Sequence, residues 1–167
     1  LSLSISFCSL ISSFVSSFTL IFSRTSLFSR VLLLICCLLV SARDQTVGAR
    51  GQLMCGNQPL NNTEVKLWEL DTWPDPDDLL MTVYTDSQGR FSVWGTENEI
   101  TTITPVVKIY HRCNNKGLFS IPNFCKRKVT YEIPSSYIAN GRSVQRWYEM
   151  GTMNMEAKQR NEDTECL

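Results

Sequence analysis

The sequence predicts an all-β protein, a sandwich of seven to eight antiparallel strands with at most one short helical turn. Three observations favour this fold class. Short segments of alternating apolar and polar residues recur after residue 42, as in half-buried strands. Turn-forming residues separate them, and T-D-S-Q-G-R-F at Thr85–Phe91 supplies the Asp and the Gly that close a hairpin. The chain contains no internal repeat and no long low-complexity stretch.

Seven strands are predicted, at Thr46–Cys55, Thr63–Leu70, Leu80–Thr85, Arg90–Gly95, Pro105–Cys113, Lys126–Ile133 and Arg146–Asn154. In the sixth strand, Val129, Tyr131 and Ile133 share one face and polar residues occupy the other. Val106–Tyr110 carries bulky residues on both faces, which predicts a central strand. Pro134–Ile138 is the predicted helical turn.

The start of the chain predicts a secretory signal. Arg30 precedes ten apolar residues, Val31–Val40, and Ser41-Ala42 follows as a cleavage site. Ten residues span about 15 Å as a helix, half of a bilayer core. We therefore interpret residues 30–42 as a signal peptide and expect the mature protein to be secreted, not integral to a membrane.

The predicted mature domain comprises residues 43–167. We interpret residues 1–29, which are rich in Ser, Leu and Phe, as a segment upstream of a lost translation start. The alternative is an uncharged membrane anchor at residues 1–23, although Ser-dense segments insert poorly.

The charge balance excludes general nucleic-acid binding. The chain has 16 basic and 16 acidic residues, and removal of Arg24 and Arg30 with the leader makes the domain slightly acidic. Nucleic-acid binding relies on a basic excess. The one basic cluster, at Cys125–Lys128, is interpreted as a solvated strand edge that blocks aggregation.

Four cysteines fall in the predicted domain: Cys55, Cys113, Cys125 and Cys166. An even number in a secreted chain favours two disulfides, with three possible connectivities. We predict that Cys113 pairs with Cys125 and closes a local loop, and that Cys55 pairs with Cys166. The second pair explains a cysteine in the otherwise polar tail N-E-D-T-E-C-L.

No metal site and no cofactor are predicted. The chain has no C-x-x-C pair, and its single histidine, His111, lies near Cys113 without the ligand pairs that zinc requires. We interpret His111 as a strand-end residue with local hydrogen bonds.

The stretch D-T-W-P-D-P-D-D-L-L, Asp71–Leu80, is the most acidic segment. A calcium loop would need a glycine and further oxygen ligands where Leu79 and Leu80 stand. A catalytic pair of carboxylates would need two different environments facing a cleft. We interpret the stretch as a stiff acidic loop between the second and third strands.

Separately, N-N-T at Asn61 is a predicted N-glycosylation site.

Taken in order, these motifs resemble the nematode transthyretin-like proteins. The resemblance rests on G-Q-L-M-C, V-K-L-W-E, D-T-W-P-D-P-D-D-L-L, T-D-S-Q-G-R-F, K-I-Y-H-R-C-N, C-K-R-K-V-T-Y-E-I-P, S-Y-I and Y-E-M-G-T-M-N, which span nearly all of residues 46–167. It implies a small secreted β-sandwich of transthyretin-like (prealbumin-like) topology without an assigned chemistry. Trp73 and the enlarged loop at Gly117–Phe124 depart from the pattern and could affect ligand choice.

The favoured function is a secreted, non-enzymatic binding or recognition protein. Its expected partner is an extracellular or cell-surface protein or lipid. Aromatic and acidic loop residues are the predicted contacts: Trp73, Asp75, Asp77, Asp78 and Phe119.

Two other functions follow from the same fold. By analogy with transthyretin, an oligomer could carry a small apolar ligand in a channel between subunits, but fold analogy is a weak warrant. Hydrolases of this fold act on 5-hydroxyisourate through several histidines, an arginine and a C-terminal Tyr-Arg-Gly-Ser motif. This chain has one histidine and ends T-E-C-L, so the general acid/base set is missing. No Ser/His/Asp motif surrounds His111 either, and we predict no enzyme activity.

Overall fold

The structure is a computed structural model that describes residues 42–71, 76–114 and 125–166. The predicted upstream segment 1–29, and Trp73, Asp75 and Phe119, lie outside the described residues, as does all of the predicted signal peptide except Ala42. The chain divides into two compact units. Residues 1–43 with 98–101 form one, of which the structure describes 42–43 and 98–101; residues 44–97 with 102–167 form the other and contain the features analysed below.

Ten strands form: β1 Arg43–Cys55, β2 Gln58–Pro59, β3 Glu64–Glu69, β4 Asp78–Tyr84, β5 Arg90–Glu99, β6 Pro105–His111, β7 Cys125–Glu132, β8 Ala139–Asn140, β9 Tyr148–Asn154 and β10 Glu162–Cys166, within the described ranges. All seven predicted strands are confirmed. The predicted helical turn is a 3₁₀ turn at Ser135–Tyr137. Over the described part of the chain, no helix has the length and apolar character needed to cross a bilayer.

The strands pair into two sheets, which confirms the all-β sandwich. In sheet A, β1 is flanked by β5 on one side and by β9 on the other, with short pairings to β2 and β8. In sheet B the order is β10-β7-β6-β3-β4. The β1–β9 pairing is parallel. In sheet B, the pairings of β10 with β7, β7 with β6, β6 with β3 and β3 with β4 are antiparallel.

The core lies between the inner faces of the sheets. It contains fully buried side chains from alternate strand positions: Val47, Ala49 and Leu53 of β1, Val65 and Leu67 of β3, Val93 of β5, Val107 and Ile109 of β6, and Val129 of β7. Strand β6 is central, as predicted, with β3 and β7 as its neighbours. Burial of these side chains stabilises the folded state by about 25 cal/mol for each Å² of apolar surface removed from water.

The predicted hairpin turn has the expected chemistry. Gln88 and Arg90 each donate their backbone N–H to the Asp86 carboxylate over 2.8 Å. Gly89 has a φ of +73°, and a Cβ there would lie 2.3 Å from the Leu53 carbonyl oxygen. Only glycine satisfies both conditions.

All four cysteines form disulfides, but the predicted pairing is wrong. Cys55 bonds to Cys113, and Cys125 bonds to Cys166. The β6–β7 register pairs His111 with Arg127, and its simple extension would place Cys113 opposite Cys125. Instead the chain turns after β6, with Asn114 at a φ of +49°.

Cys113 continues the buried face of β6 formed by Ile109 and His111, so it lies in the core, where Cys55 from β1 reaches it. The first disulfide therefore links sheet B to sheet A. The tail forms β10, which places Cys166 directly opposite Cys125 on β7. The second disulfide ties an edge strand to its neighbour.

The basic cluster at Cys125–Lys128 is not a solvated edge, contrary to prediction. Strand β10 covers β7 and sets Glu165 opposite Lys126 and Asp163 opposite Lys128. Arg127 points to the other face, where its side chain is 12% exposed and pairs with Glu162. The edge prediction failed because the acidic tail had not been predicted as a strand.

Candidate functional site

Two of the five predicted contact residues are described: Asp78 begins β4, and Asp77 directly precedes it. The Asp77 carboxylate is 3.5 Å from Lys108 Nζ. Asp78 is exposed and pairs with Glu69 in the β3–β4 register. Within the described ranges, no group of His, Cys, Asp or Glu side chains has the geometry to hold a metal ion.

Asn61 of the predicted glycosylation sequon is exposed in the loop between β2 and β3. The hydroxyl of Thr63 donates to the Asn61 carbonyl over 3.4 Å, and the Thr63 N–H donates to Thr85 Oγ1 over 2.9 Å. The asparagine side chain is therefore accessible while the threonine is buried. Modification of Asn61 stays a prediction.

A groove of about 570 Å³ lies beside this loop at one end of sheet B. We call it the Glu64–Lys126 groove, and its polar and aromatic lining includes Asn61, Glu64, Tyr84, Tyr110, Arg112 and Lys126. The lining comes from the β2–β3 loop and from β3, β4, β6 and β7. The groove thus depends on strand pairings that are distant in sequence.

Glu64 is the charged centre of the groove. Lys126 Nζ donates to one carboxylate oxygen over 2.7 Å, and Lys66 Nζ lies 3.2 Å from the other. Burial raises the pKa of Glu64, but the hydrogen bonds from Lys126 and Lys66 outweigh that effect and the net pKa is lowered. Glu64 is therefore ionised and compensated at neutral pH.

Tyr110 forms the aromatic floor of the groove. The ammonium groups of Lys66 and Lys126 lie 4.9 Å and 6.0 Å from its ring centroid, within the range of cation–π attraction. Burial, with smaller effects from Glu165 and Glu64, raises the pKa of Tyr110 to about 12. The phenol is neutral and keeps a donor O–H at physiological pH.

A similar contact lies towards the other end of the outer face. Lys108 Nζ is 4.6 Å from the Trp68 ring centroid and also reaches Asp77. These lysines lie at alternate strand positions and therefore on one face of the sheet. Sequence reasoning missed this face, although the spacing of Lys66 and Trp68, and of Lys108 and Tyr110, carried the signal.

His111 lines the groove from the core side and is 2% exposed. The predicted local hydrogen bond is wrong, since neither ring nitrogen has a hydrogen-bond partner among the described residues. Burial, reinforced by the positive charge of Arg127, lowers the pKa of His111 to about 4. The ring is therefore neutral near pH 7.

Arg127 organises the polar end of the core beneath His111. It makes two hydrogen bonds to Glu162, of 2.6 and 2.7 Å. Its Nη1 also donates to the carbonyls of Cys113 and Met155, over 2.7 and 2.9 Å. The hydrogen bonds from Arg127, which outweigh the opposing effect of burial, lower the pKa of Glu162.

Comparison with known protein families identifies one that matches half of the chain. The profile of the transthyretin-like family matches residues 50–134, which include β1 from Arg50 onwards through β7. This range contains all of the groove lining and the first three disulfide cysteines.

Relatives from Caenorhabditis elegans align over most of the chain. Transthyretin-like protein 46 is 44% identical over 78% of this chain and 70% of its own length. Transthyretin-like protein 33 is 43% identical over 74% of this chain and 82% of its own length. Transthyretin-like protein 5 is 36% identical over 81% of this chain and 98% of its own length.

Proposed function

Since the chain belongs to the transthyretin-like family, we propose that it is a secreted, non-enzymatic binding protein that recognises an extracellular or cell-surface protein through the Glu64–Lys126 groove. The observation that carries the proposal is the groove itself, in which an exposed tyrosine, a buried tyrosine and a compensated ion pair surround one concave surface. Family membership supports a binding role, and the groove supplies a surface for it.

The protonation states in the groove favour binding over catalysis. General acid/base catalysis works best with a pKa near the operating pH. Tyr110 has its pKa raised to about 12 and His111 has its pKa lowered to about 4. Glu64 is already satisfied by two lysines. These groups can donate or accept hydrogen bonds at neutral pH but are poorly suited to transfer protons.

The composition of the groove favours a protein partner. Interfaces combine aromatic side chains with charged groups at a polar rim, and Tyr84 is 59% exposed at the groove wall. An apolar carrier channel would instead need apolar walls and a second subunit. The carrier function is therefore the less favoured alternative, and a lipid partner is less favoured for the same reason.

Secretion follows from the predicted signal peptide at residues 30–42 and is supported by the two disulfides, which persist in oxidising compartments. Glycosylation of the accessible Asn61 would take place on the same route. The proposed mature protein starts at Arg43.

Native mass spectrometry of the unreduced protein, secreted from eukaryotic cells that express the whole chain, tests this proposal. We expect a chain that begins at Arg43, with two intact disulfides and a glycan on Asn61. Retention of an uncleaved chain inside the cell would contradict secretion. A dimer or tetramer that retains a small-molecule mass would favour the carrier function.

The groove is tested by screening the labelled protein against an array of secreted proteins and membrane-protein ectodomains. We expect Tyr84→Ala combined with Lys126→Ala to weaken capture at least tenfold. Trp94→Ala is the matched control, because Trp94 is 47% exposed but lies on β5 in the other sheet. If the double variant and Trp94→Ala lost the same amount of capture, or if neither lost any, the groove would not be the contact site.

A further inference from the structure

We propose that β4, the open edge of sheet B, binds an extended segment of the partner protein as an added antiparallel strand, with a basic residue of that segment beside Asp77 and Asp78. This inference rests on the proposed binding function and specifies the class of partner. Strand addition is a general mode of peptide recognition, in which main-chain hydrogen bonds supply affinity and side chains supply selectivity.

The backbone of β4 leaves one side available. Thr85 donates its N–H to the Thr63 carbonyl over 3.0 Å, and its own carbonyl accepts from Asn62. Since backbone groups alternate in direction along a strand, Val83 also points towards β3, whereas Thr82 and Tyr84 point away from it. Among the strands that the structure describes, β4 pairs with β3 alone. The N–H and C=O groups of Thr82 and Tyr84 thus form the docking edge.

The side chains of β4 favour an occupied edge. Leu79 is 49% exposed and Tyr84 is 59% exposed, and they are two of the four large hydrophobic side chains exposed most among the described residues. The strand D-L-L-M-T-V-Y contains neither the lysine nor the proline that commonly protects an edge. A register shift between Leu67 and Trp68 makes Leu80 an extra residue in β4, so the regular part of the edge is Met81–Tyr84.

Charge identifies the occupant. Residues 76–89, P-D-D-L-L-M-T-V-Y-T-D-S-Q-G, contain three aspartates and no lysine or arginine. Lys108 reaches Asp77 within each copy, but two copies paired through β4 would still bring two segments with a net negative charge together, which disfavours a second copy of this chain. A basic segment removes that repulsion.

The direction of the added strand places the basic residue. In an antiparallel pair, the C-terminal end of the partner segment lies beside the N-terminal end of β4. Asp77 and Asp78 mark that end of β4. The partner segment is therefore a short run of β-forming residues with Lys or Arg at its C-terminal end.

The probe is a library of fluorescent seven-residue peptides, based on acetyl-Val-Thr-Val-Thr-Val-Lys-Lys-amide, in which the first five positions vary among β-branched and aromatic residues. Binding to the full mature protein is measured by fluorescence anisotropy. We expect tight members to lose at least tenfold in affinity when alternate backbone nitrogens are methylated. Replacement of the two C-terminal lysines by glutamates is expected to cost a similar factor. A library without a binder, or binding insensitive to methylation, would overturn the proposal.

Variants of the protein test the same edge. Thr82→Pro removes a backbone N–H that faces away from β3, where proline is tolerated on an edge strand, and we expect at least a tenfold loss of peptide affinity. Asp77→Asn with Asp78→Asn is expected to cost threefold to tenfold and to reduce the salt dependence. Trp94→Ala, on β5 in the other sheet, is the control and is expected to leave peptide affinity unchanged. Unchanged affinity in Thr82→Pro would overturn the proposal.

Two outcomes separate this inference from the proposed function. If an array partner binds Thr82→Pro as well as the parent protein but is lost with Lys126→Ala, the edge proposal fails and the groove function stands. If sedimentation shows a dimer that Thr82→Pro converts to a monomer, a second copy occupies the edge and the proposal is overturned.

Discussion

The two edges of sheet B, β10 and β4, differ in how they are closed. Strand β10 is held to β7 by the Cys125–Cys166 disulfide and by the largely buried Arg127–Glu162 pair. Strand β4 exposes Leu79 and Tyr84 and has no described strand on its outer side. Unprotected edges are sites of strand pairing between chains. The difference indicates that one edge is fixed by covalent and ionic contacts, whereas the other is the edge to which we propose that a partner segment adds.

The largest effect is expected from breaking the ionic tie at β10. Arg127→Met leaves Glu162, which is 7% exposed, without its cation and removes the bonds to the Cys113 and Met155 carbonyls. Loss of one partner of a buried ion pair costs about 3–5 kcal/mol. We expect a decrease of this size in the free energy of unfolding, measured with urea.

Arg127→Met combined with Glu162→Leu is the control, since it removes both charges. The double variant is expected to recover much of the lost stability. If the single variant were as stable as the parent protein, the pair would not hold β10 in place.

The covalent tie at β10 gives the second prediction. Cys125→Ser with Cys166→Ser is expected to cost about 4 kcal/mol by the chain-entropy estimate, and the loop of 41 residues makes this similar to the cost of losing Cys55–Cys113, with its separation of 58. The bonds differ in access, because Cys166 is exposed whereas Cys113 is 4% exposed.

Mild reduction followed by alkylation and peptide mapping distinguishes the two disulfides. We expect Cys125 and Cys166 to be labelled first, with Cys55 and Cys113 protected until the sandwich opens. Simultaneous labelling of all four cysteines would contradict the difference in access. A peptide that links Cys113 to Cys125 would contradict the pairing itself.

The third prediction concerns how the folding stability depends on pH through His111 of β6. The pKa of His111 is lowered to about 4 in the folded protein, below the ordinary value of about 6.5. The unfolded chain therefore binds more protons, and folding stability falls as the pH decreases from about 6.5 to about 4. The loss is on the order of 3 kcal/mol. Glu162, whose pKa is also lowered, adds a loss at the acidic end of this range.

Urea unfolding at a series of pH values measures this dependence. We expect His111→Phe to flatten the curve between about pH 6.5 and about pH 5, while the Glu162 contribution at lower pH remains. A variant with the same slope as the parent protein would show that His111 is not the titrating group.

The smallest effect is expected at the open edge. Leu79→Lys replaces an exposed side chain and should change the free energy of unfolding by less than about 0.5 kcal/mol. The same substitution places a cation on β4 and is expected to weaken binding of the basic peptide probe. A large loss of stability would indicate that Leu79 is covered in the intact protein.

The contrast between these edges also separates what the sequence could predict from what it could not. Alternation and turn chemistry are local signals, and they predicted seven strands, the Asp86–Gly89 turn and one short helical turn. Strand β10, with the sequence E-D-T-E-C, has no apolar alternation. It is held by cross-strand charge pairs and a disulfide, which act between distant residues.

The wrong cysteine pairing has the same origin. Because the tail was not predicted to form a strand, Cys166 had no expected neighbour on β7. Cys125 was therefore predicted to pair with Cys113 across the nearest loop. The Glu64–Lys126 groove was missed because its lining comes from β3, β4, β6 and β7. Residue spacing gives the face of each strand, but only the order of strands brings Lys66, Tyr110 and Lys126 together.

Residue-resolved hydrogen exchange of the mature protein tests the central difference between the edges most directly. We predict slow exchange for the N–H groups of Val83 and Thr85, which point towards β3, and fast exchange for Thr82 and Tyr84 at the open edge. Addition of a bound peptide from the library should slow Thr82 and Tyr84 alone. Equal protection of all four amides without a peptide would show that the β4 edge is already covered and would contradict the account.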